Sequence, residues 1–186
     1  MTLYYDVIIS GFGGQGVLLI GNLLTYTAMD IGLRVTYMPV YGVEMRGGTA
    51  NCTVVVSNED IGSPVIHFPK SLIAMNQPSL EKFQPRLLDQ GVQIVNSSMV
   101  DQSLIENNRI HSYNIPINDL ADQLGNIRLA NMVAIGAWIQ ATQIIDMDKI
   151  QSSLEKIIAA HNAHLIPKNQ EAIQLGADSI ANLQTN

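Results

Sequence analysis

The sequence predicts one α/β domain: a largely parallel sheet flanked by helices, followed by a helical C-terminal region. A β-branched run at residues 4–10 ends on glycine and passes directly into helically spaced apolar residues. Further short β-branched runs then alternate with helix-length stretches, the pattern of a doubly wound sheet. Finally, 186 residues suit one core better than two small ones, so residues 1–186 are expected to form a single Rossmann-like domain.

Residues 4–10 (YYDVIIS) read as a buried strand because the run is apolar and almost unbroken. Helical spacing of Val17, Ile20, Leu24 and Ala28 predicts a helix over 15–31, which Gly32 stops near its C′ position. Residues 33–38 are a second strand, closed by Pro39, and 49–57 a third after a glycine-containing loop at 40–48. Gly62, Pro64 and Pro69 make 58–69 a loop, with a short edge strand expected at 65–67. Strands follow at 72–75, 92–96 and 110–115, with a short helix at 79–88. Helices are expected at 118–124, 129–144, 147–161 and 167–175, the last opened by Pro167.

An apolar fraction of 47% with 14% charged residues excludes a disordered chain. The net charge is −6, and Arg34, Arg46, Lys70, Lys82, Arg86 and Arg109 are scattered. Nucleic-acid binding needs a basic footprint, so no nucleic-acid partner is expected. Cys52 is the only cysteine; it permits no internal disulfide, suits a cytoplasmic location, and cannot alone supply the four thiolates of an iron–sulfur cluster. The uncharged runs at 7–29 and 129–145 are broken by glycines or amides and read as core, not as membrane spans. The start of the chain has no basic segment or small-residue cleavage site, so no signal peptide is expected.

Gly11-Phe12-Gly13-Gly14-Gln15-Gly16 satisfies G-x-G-x-x-G between a strand and a helix. Such a turn lets backbone N–H groups approach an anion at a helix N-terminus. Dinucleotide binding also needs an acid at the end of the second strand, and Thr36-Tyr37-Met38-Pro39 has none. Three readings therefore stand: tight strand–helix packing, a phosphate- or carboxylate-bearing ligand, or a partner's backbone.

Glu44 and Arg46 sit two apart among glycines, directly before the third strand. They form either a local ion pair that pins the loop or a surface facing a ligand or partner, since arginine forks suit carboxylates and phosphates.

Three motifs, GFGGQG at 11–16, YGVEMRGGTANC at 41–52 and AMNQPSLEKF at 74–83, occur in this order. With Ile94-Val95-Asn96-Ser97-Ser98, Arg128-Leu129-Ala130-Asn131-Met132-Val133-Ala134 and Pro167-Lys168-Asn169, they resemble the gamma subunit of 2-oxoacid:ferredoxin oxidoreductases, nearest the 2-oxoglutarate or general 2-oxoacid type. The likeness spans nearly the whole chain. It implies an accessory subunit with no catalytic centre of its own, in an assembly that decarboxylates a 2-oxoacid and delivers the acyl group to coenzyme A. Thiamine diphosphate with Mg would be held by the alpha and beta subunits and iron–sulfur clusters by beta or a ferredoxin-like delta subunit, with ferredoxin as acceptor. Gly11, Gly13, Gly14, Gln15, Gly16, Glu44, Arg46 and Asn51 are, by motif position, the candidates for a coenzyme A or subunit-interface surface. The alternative is a stand-alone nucleotide- or flavin-binding redox module.

Asn76-Gln77-Pro78 and Asn96-Ser97-Ser98 follow strand carboxyl ends, where α/β sheets bind ligands, although asparagine and proline are also ordinary turn residues. His161 and His164 share a spacing that could place them on one face, but a metal would need further ligands. Cys52 lies in a β-branched strand with no base beside it, so a buried structural thiol is expected. Trp138 belongs to a helix apolar nearly all round, which means core or interface.

Overall fold

Strand β1 (Tyr4–Phe12) is apolar on both faces because both are covered, as a central strand requires. It anchors a computed structural model that describes residues 2–41 and 49–184. Helix α1 (Val17–Asp30) follows, burying Val17, Ile20, Leu23, Leu24 and Ala28 against one face of the sheet. It ends as expected: Gly32 takes a left-handed φ of +82°, and Leu33 N–H reaches back to Ala28 O at 2.9 Å.

The remaining elements are β2 (Arg34–Tyr41), β3 (Thr49–Ser57), β4 (Ser71–Ala74), α2 (Gln77–Phe83), β5 (Val92–Asn96), β6 (His111–Ile115), α3 (Ile117–Gln123), α4 (Ala130–Thr142), α5 (Met147–Ile157) and α6 (Ile166–Gln184). Among the described residues six strands form one sheet in the order β2-β3-β1-β4-β5-β6. Strands β1, β4, β5 and β6 are parallel neighbours, as the alternating pattern predicts. Strand β3, however, runs antiparallel to both β1 and β2, so the sheet is mixed. It pairs along all of β1, from Tyr4 opposite Ser57 to Phe12 opposite Thr49.

Helices α1 and α3–α6 cover one face, and Val7, Ile9, Val54, Ile73, Ile94 and Trp138 join their core. The other face carries a smaller cluster in which Ile8, Leu72 and Val95 meet Leu80 and Phe83 of α2. Helix α4 is buried from Ala130 to Ile139, so its expected role as core holds. Trp138 Nε1 donates to Ser71 Oγ at 2.9 Å, and its ring meets Tyr5 edge-on at 6.0 Å. Helices α4 and α6 touch backbone to backbone: a Cβ on Gly136 would lie 1.9 Å from Ile173 O, and one on Gly176 2.0 Å from Val133 O.

Three local expectations change. Residues 65–67 form no edge strand, because side chains take their carbonyls: Arg86 donates to Ile66 O and His67 O, each at 2.9 Å, and Ser63 Oγ to Val65 O at 3.4 Å. The helix expected at 147–161 stops at Ile157, where Ile158 turns extended, and Ala160–Leu165 is a 3-10 turn. Helix α6 starts where Pro167 predicts but continues to Gln184.

Candidate functional site

The chain leaves β1 for α1 on one face of the sheet and leaves β4 for α2 on the other. The carboxyl ends of β1 and β4 thus form a topological switch point, where open α/β sheets place ligands. The glycine turn sits there. Gln15 N–H donates to Phe12 O at 3.1 Å to close it, Gly14 has φ +98° and Gly16 φ +73°, and Gly13 and Gly14 are exposed.

Three glycines of the turn differ in what holds them. Gly11 is tied to packing: a Cβ there would lie 2.6 Å from Gln15 Oε1 and 3.0 Å from Met75 Cβ. Gly14 has open space around it, so only its backbone conformation calls for glycine. Gly16 combines left-handed φ with contact, since a Cβ would lie 2.3 Å from Asn131 Nδ2.

Amides hold the turn in place. Gln15 Oε1 accepts from Phe12 N–H at 2.6 Å and from Asn76 Nδ2 at 3.1 Å, while Gln15 Nε2 donates to Met75 O at 3.3 Å. Asn76 is buried and caps α2 through Ser79 N–H at 3.0 Å. Asn96 Nδ2 donates to Met75 O at 3.2 Å and to Asn118 Oδ1 at 3.0 Å; its Oδ1 is buried without a partner. From below, Asn131 Nδ2 donates to Gly16 O at 3.3 Å. The two asparagine turns noted in the sequence are therefore joined to the glycine turn.

Beside this network lies a crevice of about 210 Å³ lined by Gly14, Gln15, Asn118, Ile127, Arg128 and Ala130. Among the described residues its lining contains one guanidinium and no carboxylate. Helix α1 opens at the same place, with Gly16 as N-cap, no side-chain cap and no acid in its first turn. Helix dipole and Arg128 thus act in the same direction, and the crevice suits an anion. Asn118 and Arg128 were not singled out individually in the sequence; their separation of more than a hundred residues from the turn gives no local signal.

Asn51 goes elsewhere. It pairs with Ser10 on the α2 face of the sheet, is 8% exposed, and lines a different cavity beside α2. Glu44 and Arg46 lie outside the described residues. Of the eight candidates, the structure gathers Gly11, Gly13, Gly14, Gln15 and Gly16, and sets Asn51 apart.

Cys52 is fully buried, its thiol donating to Val17 O at 3.6 Å, and burial pushes its pKa up to about 12. A thiolate nucleophile has no support there. His161 and His164 sit exposed on the 3-10 turn, and among the described residues no group of three or more His, Cys, Asp or Glu could hold a metal. No described helix is long and apolar enough to cross a membrane.

Residues 6–179 match the family described as pyruvate ferredoxin/flavodoxin oxidoreductase. The chain is 34% identical over 171 residues to the ketoisovalerate oxidoreductase subunit VorA of Methanothermobacter thermautotrophicus, covering 91% of this chain and 35% of that one. It therefore spans about a third of that relative's length. It is 32% identical over 181 residues to the 2-oxoglutarate synthase subunit KorC of Methanothermobacter marburgensis, covering 94% of this chain and 96% of the relative. Among solved structures, the keto/oxoacid ferredoxin oxidoreductase gamma subunit of Geobacter sulfurreducens has the same fold, with a TM-score of 0.81 at 24% identity over 96% of this chain and 99% of that one. So does the 2-oxoglutarate:ferredoxin oxidoreductase of Magnetococcus marinus solved with 2-oxoglutarate, coenzyme A and succinyl-CoA, at TM-score 0.85 and 20% identity over 96% of this chain and 31% of that one. Taken with the motifs gathered at the switch point, this match over nearly the full length means that the chain belongs to the pyruvate ferredoxin/flavodoxin oxidoreductase family and resembles its gamma subunits.

Proposed function

We propose that this chain is the gamma subunit of a thiamine-diphosphate-dependent 2-oxoacid:ferredoxin oxidoreductase, and that its glycine-turn crevice faces coenzyme A or a partner subunit. The observation that carries the reading is the carboxylate-free crevice at the switch point, with Arg128 on one side and the uncapped N-terminus of α1 on the other. Coenzyme A brings phosphates, which such a site favours. The relative in Magnetococcus marinus was solved with coenzyme A, which adds support.

The chain's own residues do not fit the redox groups of such an enzyme. Cys52 is single and buried, and a cluster needs about four thiolates. The clusters therefore belong to partner subunits; we assign thiamine diphosphate to the alpha and beta partners as well, which supply decarboxylation and electron transfer to ferredoxin. The contribution of this subunit is to bind and orient. Gln15, Asn76 and Asn131 hold the turn rigid, and Arg128 neutralises ligand charge. Within the family, 2-oxoglutarate is our first choice of substrate, because the 2-oxoglutarate synthase relative matches end to end.

The test is reconstitution with the alpha and beta subunits of the same organism. Ferredoxin reduction would be measured with 2-oxoglutarate, pyruvate and ketoisovalerate, with and without coenzyme A. Activity should require this chain, favour 2-oxoglutarate, and show a raised KM for coenzyme A with Arg128→Ala. Full activity of the alpha–beta pair without this chain would overturn the reading. So would a coloured or nucleotide-loaded isolated chain, which would favour a stand-alone redox module.

A further inference from the structure

The cavity that holds Asn51 has no part in the reading above. It lies on the α2 face of the sheet, about 250 Å³ in volume, between β2–β3, α2 and the irregular segment 58–70. Its floor is polar at two points. Asn51 and Thr53 alternate on β3, are 8% and 6% exposed, and both line the cavity. Neither side chain makes a hydrogen bond to any described residue. Their polar atoms open onto the cavity, where they are available to a ligand.

The walls are apolar, with Met38 and Val40 on one side and Phe83 on the other. Lys82 and Arg86 flank the Phe83 ring, their cationic heads 5.1 and 5.5 Å from its centroid. Neither cation has a carboxylate partner among the described residues. Arg86 spends two donors on Ile66 O and His67 O, which fixes its guanidinium against the cavity. Among the described residues no acid lines the space, although the chain as a whole carries a charge of −6.

We propose that this cavity is a binding site for a short-chain aliphatic carboxylate. The carboxylate would face Lys82 and Arg86, where two cations stand without counter-charge. The alkyl portion would lie against Met38, Val40 and Phe83. Asn51 and Thr53 would supply the hydrogen bonds that the protein does not satisfy internally. At about 30 Å³ per water-sized group, the volume admits roughly eight non-hydrogen atoms. That suits a small organic acid. The site is separate from the glycine-turn crevice, so the two assignments stand or fall independently.

The probe is sodium butyrate, added to the ¹⁵N-labelled full chain and followed by NMR, with phosphate and n-butanol as controls. Butyrate should give saturable shifts at the Asn51 and Thr53 amides and the Asn51 side-chain NH₂. Phosphate and n-butanol should each bind at least about tenfold more weakly, since each lacks one half of the recognition. Lys82→Gln, an exposed position that leaves the fold intact, should weaken butyrate about tenfold, and Asn51→Leu should do the same. Thr53→Val supplies a near-isosteric check should Asn51→Leu disturb β3. The proposal is overturned if no saturation appears by about 10 mM, well above an ordinary millimolar Kd. It is equally overturned if phosphate binds as well as butyrate, or if the shifts fall at the glycine turn instead.

Discussion

Gly16→Ala and Gly14→Ala, made as a pair, separate what the glycine turn owes to backbone conformation from what it owes to packing. Both positions have left-handed φ, +73° at Gly16 and +98° at Gly14. A Cβ in that region costs about 1–2 kcal/mol at either. Only at Gly16 does the added carbon also meet something: Asn131 Nδ2 at 2.3 Å and Cγ at 2.9 Å. Asn131 is 4% exposed and donates to Gly16 O, so pushing it aside leaves a buried amide unpaired. That adds about 1–3 kcal/mol. Gly14→Ala should therefore lose about 1–2 kcal/mol and Gly16→Ala about 2–5 kcal/mol, a serious fraction of ordinary domain stability. Urea denaturation followed by the fluorescence of Trp138, the only tryptophan, measures both. Adding Asn131→Ala to Gly16→Ala should recover part of the excess, because the clash disappears. Equal losses in the two single variants, or no coupling with Asn131, would refute the assignment of Gly16 to the α1–α4 contact.

Asp6 gives a pH-dependent prediction. It is 3% exposed, and burial raises its pKa above the usual 3.8 despite the bond from Lys70 N–H at 2.7 Å. Its protonated form is thus favoured in the folded state. That contribution is complete below pH 3.8 and is lost as pH rises through the folded value. Asp6→Asn should therefore be at least as stable as wild type at neutral pH, with the wild type gaining on it as pH falls; denaturation at a series of pH values checks this. Cys52 should not react with a thiol reagent at pH 8 in the folded chain, since its thiol pKa is about 12, and should react fully in denaturant. Gly136→Ala should force α4 and α6 apart and lose several times more stability than Gly14→Ala, because its Cβ would lie 1.9 Å from a carbonyl oxygen that cannot rotate away. Thermal unfolding of the two variants side by side decides it.

The local parts of this fold were readable from the chain. Strand β1, the glycine turn, α1 and the Gly32 stop follow from short-range rules, since a β-branched run, a left-handed glycine and helical spacing act within a few residues. What could not be read is where strands sit beside one another. The antiparallel insertion of β3 depends on pairings such as Ser10 with Asn51, 41 positions apart, and no local pattern encodes them. That pairing sends Asn51 to the α2 face, away from the glycine turn. Residues 65–67 look like a strand until Arg86, 19 or 20 positions on, takes their carbonyls. The crevice shows the same limit: Gln15 was legible because it lies in the turn, whereas Asn118 and Arg128 arrive only through tertiary packing.

The place of β3 also changes what the absent ribose acid means. In a dinucleotide-binding sheet the acid at the end of the second strand works because that strand lies directly beside the first. Here β3 occupies the adjacent position and β2 is one strand further out. At about 4.8 Å per strand, the end of β2 stands roughly 10 Å from β1, beyond the reach of a side chain aimed at a ribose held on the glycine turn. An aspartate engineered at Tyr37, Met38 or Pro39 would create no nicotinamide-dinucleotide site. The missing carboxylate is thus not a lost part of a nucleotide pocket. Strand geometry closed that option, leaving the turn free for an anion that needs no sugar recognition.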